Sequence, residues 1–275
     1  RGSATYVFCR DCGSSLRCPR CDTPLTYHAS SAVLVCHICN YQRQMPRLCP
    51  VCKSPNIRQF GLGTEGLEQI VARQFPRANI LRWDAETARV KGANDMILNH
   101  FLQHRADILI GTQMLAKGLD LPLVTLVGAV LADISLNLPD FRAAERTFQL
   151  LTQVAGRAGR SPLGGRVIFQ TFQPDQYAIQ MAAHHDLEGF SAYELAWRKR
   201  SGYPPYSRLI KVEFRSREEE NARLAAEESA MLFQRRIEES SMDATSLIGP
   251  VPCFYRRINA VYRWMVVVRG PDPGQ

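Results

Sequence analysis

The sequence has 275 residues, 45% of them hydrophobic, which is apolar material for two or three folded units and excludes a disordered chain. Its formal charge of +8 favours a polyanionic partner without deciding one. The longest nearly uninterrupted apolar run, LPLVTLVGAVLA at 121–132, is too short to span a bilayer and no hydrophobic signal segment opens the chain, so a cytoplasmic protein with no membrane partner is expected. Both ends read as cut, at RGSATYVFCR and at VVVRGPDPGQ just after a predicted strand, and function is expected to extend beyond them.

Nine cysteines in such a chain point to metal or catalysis before disulfides. Eight fall in four C-x-x-C pairs: CRDC (Cys9, Cys12), CPRC (Cys18, Cys21), CHIC (Cys36, Cys39) and CPVC (Cys49, Cys52). Each pair lets two thiolates converge on one ion, and Zn²⁺ takes four such ligands in a tetrahedron. Four pairs therefore make two zinc sites. The short gap between the first two pairs leaves little chain to turn them onto one ion, whereas Cys21 to Cys36 leaves a loop of ribbon length. The expected grouping is nested, with Cys18, Cys21, Cys36 and Cys39 inside and Cys9, Cys12, Cys49 and Cys52 outside. Redox pairs or disulfides are the alternatives; the first needs no fourfold copy and the second is opposed by the compartment. With all four positions filled by protein, no place is left for a catalytic water, so the two ions are expected to be structural. Cys253 stands alone among apolar residues and reads as core. His28 and His37 read as surface or packing residues rather than ligands.

From Gly61 the texture changes to helices alternating with short apolar strands. GTEGLEQIVARQFP is a predicted helix with Leu67, Ile70, Val71 and Phe75 on one face, ANILRW a strand, and NDMILNHFLQHR a helix with Ile97, Phe101 and Leu102. ADILIGT and LVTLVGAVLA follow as strands, DFRAAERTFQLLTQVAG as a long helix, and GGRVIFQTF as a further strand. The alternation predicts an α/β fold, a parallel sheet with helices on both faces, in which ligand groups gather where strands run out into loops. Two such segments carry concentrated polar residues: GTQMLAKGLD (111–120) and QVAGRAGR (153–160).

These two segments, with the cysteine-rich segment ahead of them, resemble the PriA (primosomal protein N′) family of bacterial replication-restart helicases, in its C-terminal half. GTQMLAKG resembles motif V and QVAGRAGR motif VI of superfamily 2 helicases, ADISLNLPDFRAAER resembles the segment linking them, and GLGTEGLEQ follows the cysteines as it does in the family. The resemblance implies a RecA-like second helicase lobe carrying a two-zinc module and followed by a small α+β domain. It implies a division into 1–8 (start of the lobe), 9–59 (zinc module), 60–185 (lobe), 186–205 (helical linker) and 206–275 (C-terminal domain, cut short of its last helix and strand). It also implies that Gln153, Arg157 and Arg160, with Gly156 and Gly159 between them, reach the triphosphate held on a facing lobe, and that Gly111, Thr112, Gln113 and Lys117 couple nucleotide to DNA. Guanidinium forks suit a phosphoryl-transfer transition state, whose charge is spread over oxygens. The alternative is that the arginines merely end a helix in solvent.

The chain departs from the complete engine. No G-x-x-x-x-G-K-[ST] loop and no D-E-x-H quartet occur in it, so ATP and magnesium are expected only together with a first lobe that this chain does not contain. In RWDAETARVKG, Asp84 and Glu86 flank Ala85 where the family more often has two aspartates around a basic residue.

Past Pro204–Pro205, YSRLIKVEFRS is a predicted strand, 217–239 a solvated charged helix, and SLIGPVPCFYRRINAVYRWMVVVRG a pair of strands joined around Asn259. The pair interleaves Arg256, Arg257, Arg263 and Arg269 with Phe254, Tyr255, Tyr262 and Trp264, a pattern that suits phosphate neutralisation with base stacking; the plain alternative is core aromatics and solvated arginines. Two functions remain. One is part of an ATP-dependent 3′-to-5′ helicase that binds forked or single-stranded DNA and works with single-stranded-DNA-binding protein and primosome or helicase-loading proteins. The other is a non-enzymatic DNA-binding adaptor derived from it.

Overall fold

The computed structural model describes residues 6–271, except 22, 29–30, 61–62, 85–86, 90–91, 117–120, 122, 137, 139 and 159–163. Two compact units are present, one built from residues up to 112 together with 210–269, the other principally from 113–209.

The first unit opens with the cysteine-rich segment. β1 (Tyr6–Cys9) pairs antiparallel with β5 (Ile57–Phe60), Cys9 lying opposite Ile57, and between them β2 (Thr26–His28), β3 (Val33–Val35) and β4 (Gln42–Gln44) form a three-stranded antiparallel sheet. Its core is small: Val7, Leu16, Leu25 and Leu34 are buried together with Cys18, Cys21 and Cys36. A core that holds almost as many thiols as aliphatic side chains cannot stabilise such a segment by apolar burial alone.

α1 (Thr64–Gln74), β6 (Ile80–Trp83), α2 (Ala93–Leu102) and β7 (Ile108–Gly111) follow, with β6 and β7 parallel and Ile80 opposite Ile108. In the second unit β8 (Leu126–Ala129), α3 (Ala143–Ala158) and β9 (Arg166–Phe169) repeat the strand–helix–strand unit, β8 and β9 again parallel. α4 (Tyr177–Ala183) and α5 (Leu187–Ser201) pack with α3 around Phe148, Leu151, Ile179 and Phe190, the Phe148 and Phe190 rings stacked 4.0 Å apart. The C-terminal residues of the first unit form β10 (Arg208–Ser216), α6 (Glu219–Glu239), β11 (Ser246–Ile258) and β12 (Val261–Gly270), a sheet of order β10-β12-β11. Ala222, Ala226 and Ala230 line the buried face of α6, and Ala226 and Ala230 cluster with Val266 of β12. Small residues at four-residue spacing let a helix approach a sheet closely.

The mixed α/β expectation holds, with two differences. Within its own unit each of the pairs β6-β7 and β8-β9 is a two-stranded parallel ladder, and one face of the second pair, with Leu126 58% and Ile168 52% exposed, is uncovered within its unit. The ten-residue strand read from LVTLVGAVLA shortens to four, losing residues at both ends; past its end the chain turns, and there the buried Asp133 carboxylate accepts the Phe172 N–H at 3.1 Å. In α1 the fully buried residues are Thr64 and Glu65; of the apolar stripe predicted there, Leu67 and Val71 are half-buried, while Ile70, and Phe75 just past the helix end, are exposed.

Candidate functional site: two metal centres and a motif-bearing helix

Each C-x-x-C pair is a tight backbone loop. The N–H of the first cysteine donates to a carbonyl five residues on: Cys9 to Ser14 at 2.9 Å, Cys18 to Thr23 at 3.0 Å, Cys36 to Tyr41 at 2.8 Å and Cys49 to Ser54 at 2.7 Å. In three of the loops the residue after the second cysteine is left-handed, Gly13 at φ 70°, Asn40 at 60° and Lys53 at 61°, and its N–H returns to the first cysteine's carbonyl at 2.9 Å. This repeated turn aims both thiols of a pair to the same side.

The pairs gather in two sets, Cys9, Cys12, Cys49 and Cys52, and Cys18, Cys21, Cys36 and Cys39, the sulfurs of each lying within 4.8 Å of one another. Three of the separations are 3.5 Å (Cys9 to Cys52), 3.7 Å (Cys12 to Cys49) and 3.5 Å (Cys18 to Cys39). A thiolate tetrahedron with zinc–sulfur bonds near 2.3 Å has edges of about 3.8 Å, so both sets fit structural zinc. The sets differ in environment. In the outer set Cys9 and Cys49 are buried but Cys12 and Cys52 are exposed, whereas in the inner set Cys18, Cys21 and Cys36 are buried and Cys39 is half-buried. Burial pushes the Cys21 thiol up to about 12, against the pull of the Asn259 N–H; a thiol so placed keeps its proton at neutral pH unless a cation displaces it. His28 is buried beside its neighbour, its Nε2 3.2 Å from Nε2 of His37, and neither belongs to a thiol set.

The second group of residues comprises the end of β7, the turn that follows it and the last turns of α3. Gly111 closes β7, Thr112 follows, and Gln113 opens a short 3-10 turn, Gln113–Ala116, that packs against α3. On the last turns of that helix Gln153 and Gly156 are exposed and Arg157 is half-buried. Residues 153, 156 and 157 are spaced i, i+3, i+4 and share one face. Lys117, Gly159 and Arg160 lie outside the described residues, as does Glu86; Asp84 is buried and accepts from Thr64 Oγ1 at 2.5 Å. A Cβ on Gly165 would stand 1.9 Å from the carbonyl oxygen of Ala158, so only glycine lets β9 start against the end of α3.

Sequence reasoning missed what holds α3 at its other end. Arg198 of α5, 9% exposed, donates to Glu194 at 2.8 Å and to Glu145 of α3 at 2.7 Å, and lies over the Phe141 ring. Tyr177 donates to Glu194 at 2.6 Å. The i, i+4 spacing of Glu194 and Arg198 was the available signal; Glu145, more than forty residues earlier, gave none.

In the C-terminal sheet the basic and aromatic residues separate. Arg263 forks onto Glu213 at 2.5 and 2.8 Å, Arg256 pairs with Glu219, and Arg257 lies over the Tyr262 ring. Trp264 is packed against the α6 core, as the plain alternative has it, while Phe254 and Tyr255 are 60% and 39% exposed. The exposed stacking faces are therefore those two.

Three family models match the chain. They are the PriA DNA helicase Cys-rich region over residues 18–44, the helicase conserved C-terminal domain over 61–162, and the primosomal protein N C-terminal domain over 199–275. The replication restart protein PriA of Bacillus subtilis (strain 168) is 44% identical over 269 residues, 98% of this chain and 33% of that protein. The chain matches the C-terminal part of PriA proteins over nearly its whole length. PriA proteins of Synechocystis and Treponema pallidum are 42% and 40% identical, over 99% of this chain and 33% and 41% of their own lengths. The chain thus spans about a third of the length of the PriA relatives from Bacillus and Synechocystis. No helix among the described residues is long and apolar enough to cross a membrane.

Proposed function

We propose that residues 60–185 are the second RecA-like lobe of a replication-restart 3′-to-5′ DNA helicase, residues 9–59 its two-zinc module and residues 206–275 a DNA-contacting α+β domain, with 1–8 opening the lobe and 186–205 linking it onward. The observation that carries this reading is the packing of the turn at Gln113 against α3, which supports one functional edge shared by the motif V and motif VI segments. Such an edge suits a lobe that closes on a triphosphate and magnesium held elsewhere in the complete protein. Gln153, Arg157 and Arg160 would meet the phosphate oxygens, and Gly111, Thr112, Gln113 and Lys117 would relay that contact to forked or single-stranded DNA. Single-stranded-DNA-binding protein and primosome components are the partners this role implies.

The test belongs in the complete protein. Arg157→Ala or Arg160→Ala is expected to cut DNA-stimulated ATP turnover by roughly 10³-fold if either acts as a finger on the transition state, with Tm and zinc content kept at the parental level. Arg→Lys should rescue poorly, since an ammonium lacks the planar fork. Turnover near the parental value in both alanine variants would sink the motor reading and leave the DNA-binding adaptor.

A further inference from the structure

β11 and β12 close on Ile258 opposite Val261, a two-residue loop whose central residues, Asn259 at φ 51° and Ala260 at φ 63°, are both left-handed. Such a turn leaves its two central amides pointing away from the ladder. Here both are taken by the cysteine-rich segment, more than two hundred residues earlier in the chain and in the same compact unit. The Ala260 N–H donates to the Arg20 carbonyl at 2.8 Å, and the Asn259 N–H donates to Cys21 Sγ at 3.4 Å. Cys21 is fully buried, and its neighbour in the same loop, Cys18, takes the local N–H of Arg20 at 3.4 Å.

We infer that the hairpin turn Asn259–Ala260 is an outer-shell part of the inner centre, its Asn259 amide donating to the Cys21 thiolate so that hairpin docking and metal retention at that centre reinforce each other. A zinc-bound thiolate carries charge that a buried site must compensate, and backbone N–H groups aimed at the sulfur do so while fixing its orientation. The linkage is reciprocal, because whatever the docked turn adds to metal affinity the metal adds to docking. The exposed outer thiols Cys12 and Cys52 belong to the other set, so the effect is confined to one ion of two. A consequence is that the backbone of this turn is occupied, and any nucleic acid on the hairpin must use side chains along β11 and β12 instead.

The inference rests on the two-zinc reading, and the experiment separates the two. The full chain is loaded with zinc, counted, and challenged with a chromophoric chelator, the phases being assigned with Cys52→Ser, which removes an outer ligand. Asn259→Pro deletes the N–H and cannot take the left-handed backbone, and should speed release from the inner centre about tenfold while leaving the outer phase at the parental rate. Asn259→Gly keeps the N–H and suits the turn, and should release both ions as the parent does. In the reverse direction, Cys36→Ser, which removes an inner ligand, should raise hydrogen exchange at the Asn259 and Ala260 amides while leaving Val266 protected. Fewer than two ions in the parent would overturn the zinc reading itself. Two ions with parental inner release in Asn259→Pro, or unchanged exchange at the turn in Cys36→Ser, would overturn the inference alone.

Discussion

Glu213 is the carboxylate on which three cations of β10 and β12 converge, with Arg263 at 2.5 Å, Arg215 at 2.8 Å and Lys211 at 3.2 Å. The hydrogen bonds from Arg263, helped by those from Arg215 and Lys211, hold its carboxyl down to about 2 against the opposing effect of burial. A group whose folded pKa lies below its unfolded value of 4.5 adds stability that is fully present above that value and is lost as pH falls toward 2. Glu213→Gln should therefore cost about 1–2 kcal/mol at pH 7, chiefly by leaving Arg263 without its charged partner. The gap between variant and parent in urea midpoint should close steadily from pH 4.5 to pH 2. A gap that is the same at both ends of that range, or absent at pH 7, would show that the pair is solvent-balanced. The same geometry explains why interleaved charges and aromatics in a strand misrepresent its exposed face. Arg263 and Arg256 look outward in sequence, yet each already has a carboxylate, and that carboxylate comes from β10 or α6 rather than from the hairpin.

At the scale of elements, the cysteine-rich segment is the part where local chemistry alone dictates the structure. Its four loops share one hydrogen-bond pattern, and three of its buried core residues are thiols, so its stability is expected to be metal-binding energy. Removing zinc with a strong chelator should open residues 9–57 to trypsin at Arg17, Arg20, Arg43 and Arg47 while α6 and the sheet it covers stay protected. Equal protection with and without chelator would mean that the four aliphatic core residues suffice. This segment was legible because C-x-x-C spacing and gap length are short-range signals; so were α3, α6 and the final hairpin, where one period runs for many residues. Strand ends were less so. LVTLVGAVLA reads as one strand, but it is followed by a turn in which Asp133 accepts the Phe172 amide, a contact between positions 39 apart that no local pattern announces. The partly exposed apolar stripe of α1, with Ile70 and Phe75 uncovered, shows the same limit, since periodicity says that a stripe exists and not how much of it is covered. The docking of Asn259 on Cys21 had no sequence signal at all, because the donor is a backbone amide that any non-proline residue would supply.

For the whole molecule, the alternation of strands and helices from Gly61 on was readable as parallel α/β structure, and the two ladders described there, β6-β7 and β8-β9, are parallel; how many strands join one sheet depends on edges that no local pattern encodes. Charge is the property that acts at this scale. A net +8 favours a polyanionic partner, and under the proposed reading that partner is nucleic acid. If the C-terminal sheet engages about three phosphates through its basic residues, log affinity should fall with log salt at a slope of about −2.7, roughly a 40-fold loss between 50 and 200 mM. Phe254→Ala or Tyr255→Ala should weaken single-strand binding by about 1–3 kcal/mol while leaving that slope unchanged, because stacking releases no counterions. Arg257→Ala should do the opposite, lowering the slope by about one contact with little change in base preference. Titrating a labelled forked duplex and a labelled single strand against the purified chain at four salt concentrations reads all three quantities. Binding that ignores salt, or aromatic variants that change the slope as much as the arginine variant does, would remove this sheet from the nucleic-acid surface and shift attention to the basic residues of the cysteine-rich segment.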